Sequence, residues 1–292
     1  MVNPLTYWVW LTIGLSPANR RKWALLKDKI VPEAVYDSIN DGDKCGLTDS
    51  EFRKLKAVTL RQAEDFISDC QGRGINIYCP DDVAFPKRLM YIENPPSLLF
   101  TYGRLEDVRI NPSVAIIGAR DADEYAVRSA DTLSYQLAEK GITVISGFAR
   151  GIDSSAHNAT LRAGGQTVAV LGCGLEYDYP INSRKFKERI AENGAVITEY
   201  FPFVKPLPEN FKIRNRLVSG MSNGVLVIQA GQRSGTLNTA FHASSQNKDI
   251  FVLPPHDIFS GDYAGNIGLL RDGATPVYSA NDIISNLDTT DL

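Results

Sequence analysis

Apolar positions fall into two textures along this chain. From residue 114 onward, short near-continuous apolar runs at 114–117, 142–145, 167–171, 195–198, 225–228 and 250–253 alternate with helical patterns. Those patterns cover 124–139, 154–163, 183–192, 214–221 and 237–246. Strands apolar on both faces and separated by helices require a mostly parallel sheet covered on both sides, an α/β fold. Residues 1–72 read instead as a small all-helical domain. Ser16-Pro17 predicts a helix reaching about residue 29, and 31–39 and 60–71 carry two more patterns. Thr48 and Glu51 fit a capping box that opens another helix. Two further runs, 75–79 and 98–102, are strand candidates that lead into a second domain over 75–286. Residues 287–292 read as a disordered tail.

Two turns stand out. Ser146-Gly147-Phe148-Ala149-Arg150-Gly151-Ile152-Asp153 and Arg233-Ser234-Gly235-Thr236 each follow a β-branched run and precede a helix. Small residues there leave helix-start amides uncovered, and such amides attract anions. In a parallel sheet both turns lie on one edge, beyond the carboxyl ends of the strands. Ser146, Gly147 and Gly151, and Ser234, Gly235 and Thr236, are therefore candidate phosphate contacts, with tight-turn geometry as the alternative for the glycines. Gly118-Ala119-Arg120 forms a third turn on that edge. It offers a guanidinium that binds phosphate or pairs with Asp121 or Asp123; its position favours phosphate. Neither this turn nor Gly172-Cys173-Gly174 completes a dinucleotide fingerprint, and no Walker-type loop is present.

Composition changes the picture only locally. The net charge of −3 does not mark a nucleic-acid binder. Residues 182–216, however, hold eight Lys or Arg against four Glu, whereas 262–292 hold five Asp and one Arg. Arg184, Lys185 and Lys212 belong to the basic stretch, as either supporting charge or solvated surface. Arg214 and Arg216 are predicted at a helix start, where cations are unfavourable by about 0.3–1 kcal/mol without an anionic partner. Asp153 and His157 face each other four residues apart. They read as a capping Asp bonded to a structural His rather than half of a catalytic pair. The four cysteines and three histidines have no metal-ligand spacing. No stretch approaches a membrane span and no signal peptide is evident, so a cytoplasmic setting is expected.

The motifs occur in a particular order: Gly118-Ala119-Arg120; Ser146 through His157; Val170 to Leu175 with Tyr179-Pro180-Ile181-Asn182; Arg214-Asn215-Arg216; Ser234 to Ala240; Pro254; and Gly265-Asn266. This succession resembles the DNA-processing protein A family (DprA, also called Smf) over about residues 75–286. The resemblance implies an extended Rossmann-like fold that binds single-stranded DNA through its backbone, usually as a homodimer. It also implies delivery of the strand to the RecA recombinase in recombination and natural transformation. No enzyme activity, catalytic residue, cofactor or metal is implied. Arg120 and the turns at Ser146–Gly147 and Ser234–Thr236 would hold phosphates, supported by Arg184, Lys185 and Lys212. Ala119 departs from the family's usual serine and Gln229 from its common glutamate, and the winged helix that closes many members has no counterpart here. The helical N-terminal part resembles the sterile-alpha-motif-like or helix-hairpin domains of some members.

A second class remains open: a nucleotide sensor or a phosphoribohydrolase-like enzyme on the same fold. Such hydrolases carry a catalytic glutamate in a G-G-x-G-T-x-x-E run. The comparable Gly235-Thr236-Leu237-Asn238-Thr239 supplies no carboxylate, which favours a binder.

Overall fold

The computed structural model describes every residue except 1, 18, 20, 30, 109, 111, 291 and 292. Five helices come first: α1 (Pro4–Leu15), α2 (Arg21–Lys29), α3 (Pro32–Asn40), α4 (Asp49–Ala57) and α5 (Leu60–Gly72). Helix α1 gave no amphipathic signal because α3, α4 and α5 surround it, burying consecutive Trp8, Val9, Trp10 and Leu11. It starts at Pro4, with the Asn3 side chain accepting from the Leu5 amide. The helix expected to open at Ser16-Pro17 does not: Ser16 has φ 69° and closes α1, and α2 begins at Arg21. The Thr48–Glu51 capping box forms at α4, and Thr59 with Gln62 makes a second at α5. The helices share one apolar cluster with Ile75, Leu98, Phe100 and Val196.

Then come β1 (Asn76–Tyr78), β2 (Leu99–Tyr102), β3 (Ser113–Ile117), α6 (Glu124–Glu139), β4 (Thr143–Ser146), α7 (Ile152–Arg162), β5 (Thr167–Val170), α8 (Arg184–Glu192) and β6 (Gly194–Thr198). The chain continues through α9 (Pro208–Met221), β7 (Gly224–Val227), α10 (Thr236–Ser245), β8 (Asp249–Val252), α11 (Ala264–Arg271), β9 (Thr275–Pro276) and α12 (Ala280–Ile284). The strand order is β1-β2-β6-β5-β4-β3-β7-β8-β9, antiparallel only at β1/β2 and β2/β6. The fold is therefore α/β and Rossmann-like, with a mostly parallel sheet and a helical N-terminal region.

Strand alternation assigns the helices to faces. Val114, Ile116, Val144 and Leu226 pack with Ala126, Ala130 and Leu133 of α6 and with Ile152 and Ala156 of α7. Ala115, Ile117, Ile145, Val225 and Val227 pack with Leu217 and Met221 of α9 and with Ala240 and Ala243 of α10. The loops after β3 and β7 thus lead to opposite faces, opening a crevice where the strand order reverses. Helix α9 begins at Pro208, six residues before the expected start, so Arg214 and Arg216 lie mid-helix and meet no N-terminal field. Of the expected tail, Leu287 packs against the β3/β7 face, and the Asp288 amide donates to Asp249 Oδ2 at 3.0 Å. Residues 291–292 lie outside the described residues.

Candidate nucleic-acid interface

The turn after β4 folds around an acceptor of its own. The Asp153 carboxylate, on the first turn of α7, reaches back so that the Ala149 amide donates to its Oδ2 at 3.2 Å, and the Gly147 amide bonds it as well. Gly147 is wedged in place: a Cβ there would lie 2.8 Å from Arg214 Nη2 and 2.9 Å from Asp153 Oδ2. Ser146 is fully buried, its hydroxyl donating to the Ile116 carbonyl at 2.6 Å. The Ser146 hydroxyl and the Gly147 amide, expected to cradle an external phosphate, are therefore already committed. Gly151 serves a packing role, with φ 75° and a Cβ that would collide with the Ala119 and Arg120 carbonyls. The Ile152 amide donates to Ala119 O at 3.3 Å, seating this turn on the one after β3.

Asp153 and His157 do not bond each other as the i,i+4 spacing suggested. His157 Nδ1 meets Thr167 Oγ1 at 2.7 Å, and its Nε2 is one of the few buried polar atoms without a partner among the described residues. Burial, with the nearby Arg214 charge, pulls its pKa down to about 3, so it is neutral. Burial also pushes the Asp153 carboxyl up, opposed by Arg214 and the turn amides.

Both arginines of the Arg214-Asn215-Arg216 motif are interior. Arg214 donates to the carbonyls of Gly147, at 2.6 Å, and Val170, tying the ends of β4 and β5. Arg216 forms a two-pronged pair with Glu199 at 2.8 and 2.6 Å, the side chains only 8% and 2% exposed. Lys187 is likewise buried and donates to the Leu175 and Tyr177 carbonyls at 3.0 and 2.6 Å. Three of the eight basic residues in 182–216 thus hold the fold together, and the excess charge there is no surface stripe. Glu199, seventeen residues from Arg216, was invisible as its partner in the sequence.

Arg120 is different. It is exposed, its guanidinium lies 5.6 Å over the Phe211 ring, and it makes no ion pair among the described residues. Its alternative partners are engaged elsewhere. Asp121 meets Arg150 at 3.7 Å. Asp123 caps α6, accepts from Tyr263 and Gln229, and lies 3.4 Å from His256. Arg120, Gly147, Phe148, Ala149, Arg150, Gly172, Cys173, Tyr179, Pro180, Ile181 and Phe211 line a cleft of about 420 Å³ beyond β3, β4 and β5. Gly118 lies under this turn, where a Cβ would strike Ile152 at 2.5 Å. Phe211 was missed in the sequence; its only signal was an aromatic three residues before the Arg214 motif. Cys173 is buried, and burial raises its thiol pKa, so it is no nucleophile.

The turn before α10 has free space around it, although its Ser234 amide donates to the Gly231 carbonyl at 3.1 Å. No atom lies within 4 Å of a Cβ built on exposed Gly235, while the Thr236 amide is bonded to Ser234 Oγ at 3.2 Å. The supporting charges scatter. Arg184 and Lys185 are exposed at the start of α8, and Arg184 lines a separate cleft of about 740 Å³ with Tyr102, Glu176 and Asp178. Lys212 borders a third recess beside Trp23, Glu93 and His242. Neither Arg184 nor Lys212 lines the Arg120 cleft. Among the described residues no His, Cys, Asp and Glu cluster could hold a metal, and no helix is long and apolar enough to cross a membrane.

Residues 76–288 match the family described as DNA recombination-mediator protein A. The chain belongs to this family. A relative named Protein Smf from Synechocystis is 36% identical over 230 residues, covering 78% of this chain but only 58% of that protein. The chain thus spans under two thirds of that relative's length. Among solved structures, DNA processing protein A from Streptococcus pneumoniae superposes with a TM-score of 0.83 at 28% identity, covering 96% of this chain and 97% of that one. A Helicobacter pylori DNA processing protein A, whose structure was described for its single-stranded DNA binding mode, gives a TM-score of 0.65 at 30% identity. It covers 72% of this chain and 94% of that one. This family's succession of motifs is what the sequence resembled.

Proposed function

We propose that the chain binds single-stranded DNA through its backbone at the carboxyl edge of the sheet. Arg120 is the principal phosphate contact, and the open Ser234–Thr236 turn is a second anion point. The observation that carries this reading is an exposed guanidinium, with no ion pair among the described residues, at the mouth of a cleft with an aromatic wall. Phosphates satisfy the charge, and Phe211, Tyr179 and Ile181 offer unpaired bases an apolar surface. A duplex hides its base faces, so the wall favours single strands. The family's description and the single-strand-binding Helicobacter relative support the same reading. Within it, the chain acts as a recombination mediator that protects the strand and loads RecA, works as a homodimer, and is not itself an enzyme.

Fluorescence anisotropy with labelled single- and double-stranded oligonucleotides at two salt concentrations tests the reading. Preference for single strands is expected, with log K falling by about 0.7 per phosphate neutralised for each decade of salt. Equal binding of both forms would count against it, and release of free base from nucleoside monophosphates would favour the enzyme class.

A further inference from the structure

The turn after β4 has committed its Gly147 and Ala149 amides to Asp153, yet it still offers the Arg120 cleft a charged side chain. Arg150 sits at the tip of that turn, lines the same cleft as Arg120, and is 71% exposed. Its position relative to Arg120 is fixed by backbone. Gly151 packs against the Ala119 and Arg120 carbonyls, and Ile152 donates to Ala119. It makes a loose 3.7 Å ion pair to Asp121, whose side chain is 90% exposed. So exposed an ion pair contributes little and exchanges readily for a better anion.

We infer that Arg150 is a second phosphate-binding residue of the cleft, and that Asp121 is its displaceable counter-ion, released when a DNA phosphate takes its place. The inference rests on the single-stranded DNA reading above and adds a residue and an exchange step to it. Arg120 holds one phosphate without competition, whereas Arg150 binds the neighbouring phosphate only after giving up a carboxylate. Arg150 then adds to the salt dependence while Asp121 subtracts from affinity.

The test uses the full chain and a labelled oligothymidylate, read by anisotropy across a salt series. Arg150→Gln should weaken binding about three- to tenfold at moderate salt and reduce the slope of log K against log salt by about 0.7, with the melting temperature unchanged. Asp121→Asn should tighten binding about two- to fivefold in the native background, and less than half as much when combined with Arg150→Gln. An unchanged slope in Arg150→Gln, while Arg120→Glu binds weakly, would overturn the role of Arg150 and leave the single-strand reading standing. An equal gain from Asp121→Asn in both backgrounds would overturn the exchange. Loss of binding in neither Arg120→Glu nor Arg150→Gln would sink the interface as a whole.

Discussion

Two strand-to-helix turns of the same sheet edge look alike in sequence and behave oppositely in structure. The turn at 147–151 is filled: Asp153 takes the Gly147 and Ala149 amides, Arg214 presses on Gly147, and Gly151 lies on the backbone of the neighbouring turn. At 231–235 there is side-chain room, with nothing within 4 Å of a Cβ on Gly235, and the Ser234 and Thr236 amides are held by the turn's own Gly231 carbonyl and Ser234 hydroxyl rather than by a carboxylate. Small residues after a strand reveal that amides are uncovered; they do not reveal what covers them. Where an acidic side chain follows within one helical turn, the protein supplies its own acceptor. On the reading proposed above, an external phosphate is then bound by side chains that project beyond such turns, Arg120 and Arg150.

The sharpest way to break this contrast is to remove the internal acceptor. Asp153→Ala strips the Gly147 and Ala149 amides of their acceptor and leaves the buried Arg214 without the acidic group that acts on it most strongly. A loss of about 3–5 kcal/mol is expected in chemical denaturation, with Asp153→Asn losing less because its carbonyl still accepts. Glycine replacements should follow. Gly151→Ala, at φ 75° and against two carbonyls, should cost about 2 kcal/mol or more. Gly235→Ala, with free space and φ −60°, should stay within about 0.5 kcal/mol by thermal melting. If the two variants melted alike, the distinction between filled and open turns would be lost.

His157 offers a pH readout of the filled side. Its folded pKa of about 3 lies below the ordinary 6.5, so the unfolded chain binds a proton that the native one refuses. The associated stability is full above about pH 6.5 and is lost as pH falls toward 3. The difference in stability between the native protein and His157→Asn should therefore narrow on acidification across that window. A constant difference would mean that the histidine is not held neutral.

Much of the fold was legible because the strands buried on both faces leave short apolar runs, and the helices between them keep a polar face. Helix α1 escaped for the opposite reason: buried all round, it has no periodicity to read. The start of α9 was misplaced because Arg214-Asn215-Arg216 looks like a polar helix opening, whereas Pro208 sets the first turn. At the site, Arg120 was legible from its turn and its place on the sheet edge. Arg214, Arg216 and Lys187 were not, because a basic residue in the chain looks the same whether it meets solvent, a carbonyl or Glu199. Only the packing of β4, β5 and α9 separates the cations that build the edge from those that face outward.

The most direct measurement is a gel-shift or anisotropy titration of Arg120→Glu with single-stranded oligonucleotide, paired with its melting curve. Because this side chain is exposed and makes no ion pair among the described residues, binding should fall tenfold or more while the melting temperature stays within about a degree. Undiminished affinity in a folded Arg120→Glu protein would contradict the claim that this guanidinium grips the strand.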